Sequence, residues 1–170
     1  GSPSEEYVES KIRAVVKAAQ VKKALKSLRL LQVGHIPQGF GFGRAMDADM
    51  LKTFGVTLDS IEARELIDKA KTFTDEDIKN YLDDASTRIR GLESTKEKNR
   101  LDFARLYKAY AEYCSANNIG ALSSRCWPDF FTAFGTPVCA VLAMLNDLGV
   151  SAACEADSYG ALTMYIAQYL

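Results

Sequence analysis

The feature that most restricts this chain is an alternation. Four short apolar runs, LRLLQVGHIP (28–37), VTLDSIEA (56–63), IGALSSRCWP (119–128) and VSAACEADS (150–158), are separated by longer stretches with helical apolar spacing. Runs of that length, bounded by Gly, Pro, Asn and Asp, read as strands. Strands alternating with helices of ten or more residues imply βαβ crossovers and a parallel sheet. The expected fold is therefore α/β: a Rossmann-like three-layer domain with a mainly parallel sheet of about four strands and a helical insertion. The strands fall near 29–34, 56–61, 119–125 and 150–155, and the insertion of three helices lies between the second and third.

The helical stretches carry their own punctuation. Residues 5–27 place Val8, Ile12, Val15, Val16, Ala19 and Leu25 at helical spacing among Lys and Glu, so this segment, spanning 1–27, reads as an amphipathic helix leading into a domain over 28–170. A helix over 47–54 stops at Gly55, and another covers 62–71. Thr74 precedes three acids and Arg88, Arg90 and Gly91 close the run, an order that suits the helix dipole. A further helix spans about 96–117, and TPVCAVLAMLNDLG (136–149) opens a sixth with Pro137 in its first turn. The last, YGALTMYIAQYL (159–170), is apolar on nearly every side, which predicts burial.

The ends suggest a piece of something longer. Gly1-Ser2 without an initiating Met reads as a tag-cleavage remnant, and GSPSEEYVES has neither the basic nor the apolar region of a signal peptide. The final helix reaches Leu170 without Gly, Asn or Pro to stop it, so the domain is expected to be truncated there.

Charge narrows the partners. With 21 Lys and Arg against 22 Asp and Glu, the net charge of -1 gives no long-range attraction to nucleic acid or to an anionic membrane. No apolar run reaches the ~18 residues of a membrane span. Cys114, Cys126, Cys139 and Cys154 form no CxxC pair. They read as reduced core thiols of a cytoplasmic protein, without the paired spacing of a zinc site.

In a parallel sheet the loops leaving the carboxyl ends of the strands gather at one edge, where such folds hold ligands. Here those loops are GHIPQGFGFGR, RCWPDFF and CEADSYG. Glu155 and Asp157, two apart in an extended segment, share one face. Neighbouring carboxylates repel unless a proton or cation lies between them, and an oxygen-seeking Mn²⁺ or Mg²⁺ resolves that conflict. Asp129 adds a third candidate oxygen. The bland readings are a helix cap for Asp157 and a salt bridge for Glu155. His35, the single histidine, reads as a hydrogen-bonded loop residue. GFGFGR lacks the GxGxxG spacing of a dinucleotide loop, which leaves Arg44 to meet a polar ligand or a partner subunit. Trp127 suits either a sugar face or the core.

From RCWPDFF through GTPVCAVLAMLNDLGVSAACEADSYGALTMYIAQYL, the chain resembles the C-terminal part of the second domain of the L-fucose isomerase family. GHIPQGFGF followed by MLKTFGV is similar to the first strand and helix of that domain. The resemblance implies a ketol isomerase interconverting an aldose and its ketose with Mn²⁺, working on a monosaccharide of the L-fucose or arabinose kind and forming a homo-oligomer when full-length. It implies a metal site taking two acids from this domain and a His from a following one. Asp157 matches the acid after the last strand. The other acid falls near WPDFF, where Asp129 is the carboxylate and Thr132 the alternative aligned position. On this reading Asp157, Glu155 and Asp129 are metal ligands, Asp157 and Asp129 are catalytic, and Arg125 and Trp127 bind substrate. Metal bound to O1 and O2 of an open-chain sugar polarises the carbonyl while a carboxylate moves the C2 proton through a cis-enediol. The competing reading is a non-catalytic Rossmann-like module that binds a small ligand or nucleotide, or serves assembly.

Overall fold

A computed structural model describes residues 1–170. Seven α-helices and four strands follow one another: α1 (Glu6–Leu25), β1 (Arg29–Val33), α2 (Asp47–Phe54), β2 (Thr57–Ile61), α3 (Ala63–Lys71), α4 (Asp75–Arg88), α5 (Glu97–Asn117), β3 (Ala121–Ser124), α6 (Cys139–Asp147), β4 (Ser151–Cys154) and α7 (Ser158–Ala167). All neighbouring strands pair in parallel, in the order β2-β1-β3-β4. The expected α/β architecture with four parallel strands is therefore observed. The three-helix insertion is α3, α4 and α5, which together form the crossover from β2 to β3.

Strand alternation divides the core into two layers of contact. Leu31, Val33, Leu122 and Ala152 face α3–α6, where Leu66, Ile67, Phe103, Leu106, Val141 and Leu145 close over them. Leu30, Ala121 and Ala153 face the other way, onto Val21 and Leu25 of α1, Met50 of α2 and Leu162 of α7. Each fully buried Leu contributes about 1.5–3 kcal/mol by leaving water, so a one-residue slip of β1 would exchange its whole buried set. The strands are apolar on both faces because both faces are covered.

Local chemistry sets the helix boundaries. Thr74 and Asp77 form a reciprocal capping box: Asp77 N–H donates to Thr74 Oγ1 (3.3 Å) and Thr74 N–H to Asp77 Oδ2 (2.8 Å). Gly55, at φ +76°, ends α2 in the left-handed conformation that side chains resist. Pro137 lies just outside α6, which starts at Cys139, rather than in its first turn.

The expected burial of α7 holds only on one side, and the apolar stripe of α1 is mostly uncovered. Only Val21 and Leu25 of α1 are buried, and Ile12, Val15 and Val16 stand exposed because no other element of this chain covers that part of the helix. On α7, Ser158, Ala161 and Leu162 are buried, yet Met164 is 38% exposed. Apolar character all round the helix cannot reveal which side meets the sheet. No helix is long and apolar enough to cross a membrane.

Candidate functional site at the carboxyl edge of the sheet

The strand order places β1 centrally, with β2 on one side and β3 on the other, so the chain reverses direction across the sheet between β1 and β3. Loops leaving these two strands diverge there and open a crevice, the usual ligand position in an open α/β sheet. Gln32, His35, Gln38, Arg44 and Ser60 help line a cleft of about 580 Å³ at the β1–β2 end of this edge.

At the β3–β4 end, the two acids of the E-x-D motif do different jobs. Strand β4 ends at Cys154, and Ala156 takes φ +56°, so residues 155–157 form a turn rather than the extended segment expected from sequence. A non-glycine residue in this region costs of order 1 kcal/mol, and such outliers concentrate at functional sites. Glu155 turns toward the neighbouring loop, where its Oε2 accepts the backbone N–H groups of Cys126 (2.8 Å) and Trp127 (3.0 Å). Its Oε1 accepts the Cys154 thiol at 2.9 Å. Glu155 thus ties the end of β4 to the loop after β3.

Asp157 caps α7: its Oδ1 accepts the Gly160 N–H at 2.8 Å. Two glycines make room for this carboxylate. A Cβ on Gly160 would sit 2.6 Å from Asp157 Oδ2, and one on Gly43 would sit 3.2 Å from the Asp157 Cα. The GFGFGR segment, with a short 3-10 turn at Gly41–Gly43, is therefore seated directly against Asp157. Of the two bland readings, the cap holds for Asp157, whereas Glu155 forms no salt bridge and clasps backbone N–H groups instead.

Asp129 stands apart from that pair. Its Oδ2 is buried and lies 2.6 Å from Arg125 Nε, but that N–H is directed at the Trp127 carbonyl (3.2 Å). The contact is an ion pair in which the carboxylate oxygen receives no hydrogen bond. Trp127 is 57% exposed, which removes core packing as its role and leaves its ring free at the edge. His35 is exposed, 3.5 Å from a Glu62 oxygen.

The structure gathers ligating atoms elsewhere. Cys126 after β3, Cys139 at the start of α6 and Cys154 at the end of β4 bring their sulfurs within 4.8 Å of one another. This is the only set of three or more His, Cys, Asp or Glu side chains so converged, and Asp129, Glu155 and Asp157 do not form one. Cys139 and Cys154 are exposed, against the expectation of core thiols; Cys114 and Cys126 are buried. The Cys154 thiol, the Val138 N–H and the Cys139 thiol all favour the Cys126 thiolate and outweigh burial, bringing that group down to about 6. Cys154 is pushed up by the neighbouring Cys126 sulfur, by desolvation and by Glu155, to which its thiol donates. No sequence spacing signals this cluster, because its members are 13 and 15 residues apart (139 minus 126, 154 minus 139) and meet only through strand pairing.

No family model matches this chain. Among curated proteins, it is 59% identical over all 170 residues to a sulfoquinovose isomerase of Clostridium sp. (strain MSTE9), covering 38% of that protein. It is 29% identical over 166 residues to a sulfoquinovose isomerase of Alkalicoccus urumqiensis, covering 37% of it. It is also 27% identical over 170 residues to one of Priestia aryabhattai, covering 38%. The chain spans less than two fifths of the length of these relatives. Over its whole length it is similar to one segment of proteins named sulfoquinovose isomerase.

Proposed function

We propose that this chain forms the Rossmann-like segment of an aldose–ketose isomerase acting on sulfoquinovose, and that the carboxyl edge of its sheet supplies part of the active site. The observation that supports the reading most is the 59% identity to a sulfoquinovose isomerase along the entire chain. The CEADSYG turn, with its strained Ala156 and with Gly160 and Gly43 packed on Asp157, lies at the edge where the fold holds ligands.

In this reading Asp157 and Glu155 are the ligands for a divalent, oxygen-seeking ion such as Mn²⁺. The donor chemistry suits it: Asp157 Oδ2 has no hydrogen-bond donor, and Glu155 Oε1 has only a thiol proton. Asp129 fits less well as a ligand, because Arg125 already meets its charge. It serves instead with Arg125 to fix the loop that carries Trp127. When bound, the ion supplies Lewis-acid polarisation of the sugar carbonyl. Asp157 moves the proton at C2, and Gly160 and Gly43 fix the carboxylate by close packing. Trp127 offers its exposed ring to the apolar face of the sugar. Arg44, in the cleft with His35 and Gln38, is the cation for a negatively charged substituent. The free thiols suit a reducing, cytoplasmic setting, and a homo-oligomer of the complete polypeptide would close the open cleft.

A segment exchange tests this. Replacing the matching segment of the Clostridium relative with this chain should preserve sulfoquinovose isomerisation. Asp157→Asn in the exchanged protein should then lower turnover by at least ~100-fold, as expected on losing a group that acts at the reacting atoms. A folded exchange protein with no isomerase activity, or one indifferent to Asp157→Asn, would overturn the proposal.

A further inference from the structure

The three thiols at the sheet edge have no part in the isomerase reading, and their geometry is specific. They come from three separate elements: Cys126 from the loop after β3, Cys139 from the first position of α6, and Cys154 from the last position of β4. Three sulfurs mutually within 4.8 Å share a centre no farther than about 2.8 Å from each. A Zn–thiolate bond is about 2.3 Å and a tetrahedral ion separates its sulfurs by about 3.8 Å. Cys126 and Cys139 are already 3.6 Å apart, so closing around an ion needs shifts of about half an ångström.

We propose that Cys126, Cys139 and Cys154 form a site for a thiophilic cation of the Zn²⁺ class, with Glu155 Oε1 as the fourth donor. The proton count favours an ion there. Cys154 has one S–H, given to Glu155 Oε1 at 2.9 Å, which leaves the Cys126 sulfur, within 4.8 Å, without it. A cation satisfies all of these acceptors together. Glu155 is already placed, because its other oxygen is fixed by the Cys126 and Trp127 N–H groups, as supporting hydrogen bonds commonly orient a ligand. Solvent reaches the cluster through the exposed Cys139 and Cys154. Three soft sulfurs with one carboxylate select zinc over manganese, so this site differs in metal preference from the oxygen-ligand site proposed for catalysis, and Glu155 is the residue the two share.

Cobalt provides the readout. The reduced chain, titrated anaerobically with Co²⁺, should develop a thiolate-to-cobalt charge-transfer band and the visible bands of a tetrahedral ion, saturating at one ion per chain. Zn²⁺ should abolish the spectrum, while excess Mn²⁺ should leave it. Cys139→Ser, on an exposed side chain, should remove the charge-transfer band with the far-ultraviolet circular dichroism unchanged. Cys154→Ser gives a second test at another exposed thiol, and Cys114→Ala, at the thiol outside the cluster, should keep the band. A six-coordinate cobalt spectrum, a band that survives both serine variants, or a Cys126–Cys139 disulfide forming in place of metal binding would each overturn the assignment. None of these results depends on isomerase activity, so failure here leaves the segment-exchange test intact.

Discussion

Glu155 gives the sharpest test of how the edge is built. Its Oε2 accepts two backbone N–H groups at 2.8 and 3.0 Å, linking β4 to the loop after β3 with a charged acceptor. Hydrogen bonds to a charged group are each worth about 1.5–3 kcal/mol, and the half-buried position favours the lower end of that range. Glu155→Ala removes both and leaves the Cys126 N–H in a partly buried place, so the expected loss is about 3 kcal/mol. Glu155→Gln keeps a carbonyl oxygen able to accept both N–H groups, losing only the charge assistance, about 1 kcal/mol. For a chain of this size those losses lower Tm by roughly 6–12 °C and 2–4 °C. Urea titration followed by circular dichroism measures them as midpoint shifts at constant slope. If Gln costs as much as Ala, the charge rather than the pair of N–H bonds holds the loop. If Ala is neutral, the clasp contributes nothing and the account of the edge is wrong.

Gly160→Ala would set a Cβ 2.6 Å from Asp157 Oδ2, pushing the carboxylate off the α7 N-terminus. Losing that cap should cost about 1 kcal/mol and, in the segment-exchange protein, lower turnover more than stability, as kinetics at a temperature well below the transition would show. Tyr107, pushed up to about 12 by burial and its Asp84 hydrogen bond, stays protonated in the folded chain where the unfolded chain ionises near 10. That contribution is complete below pH 10 and is lost as pH rises from 10 to about 12, where the unfolded state binds fewer protons. Tyr107→Phe should flatten the fall in urea midpoint across that window by the equivalent of roughly 2 kcal/mol, and an unchanged slope would refute it. The 170-residue chain alone, given Mn²⁺ and sulfoquinovose, should show no appreciable ketose formation, since no three of its carboxylates converge on one ion. Robust turnover abolished by Asp157→Asn would refute that expectation.

Much of the architecture was legible in the sequence. The four parallel strands, the caps at Thr74 and Gly55 and the three-helix insertion follow from periodicity and local hydrogen bonding, which act within a few residues of chain. The Asp157 cap of the last helix was legible too, since an acid directly before an apolar helical run suits that role. The distant partners of Glu155 and Asp157 were not. Glu155 is held by residues 28 and 29 positions earlier, and Asp157 packs on a glycine more than a hundred positions away. A pattern of spacing placed both acids on one extended face, but the left-handed Ala156 ends the extended run, the two acids take different partners, and nothing in the residue types announces that turn. The sequence likewise made α1 and α7 apolar without saying which of those residues another element would cover. Above all, the absence of a CxxC pair argued against a metal, while parallel pairing of β3 with β4 and the start of α6 brought three thiols together. Local chemistry decides which elements form, because its range is a few bonds. Only the pairing and packing of those elements decides which distant side chains meet, and it is there that the sulfurs of Cys126, Cys139 and Cys154 found one another.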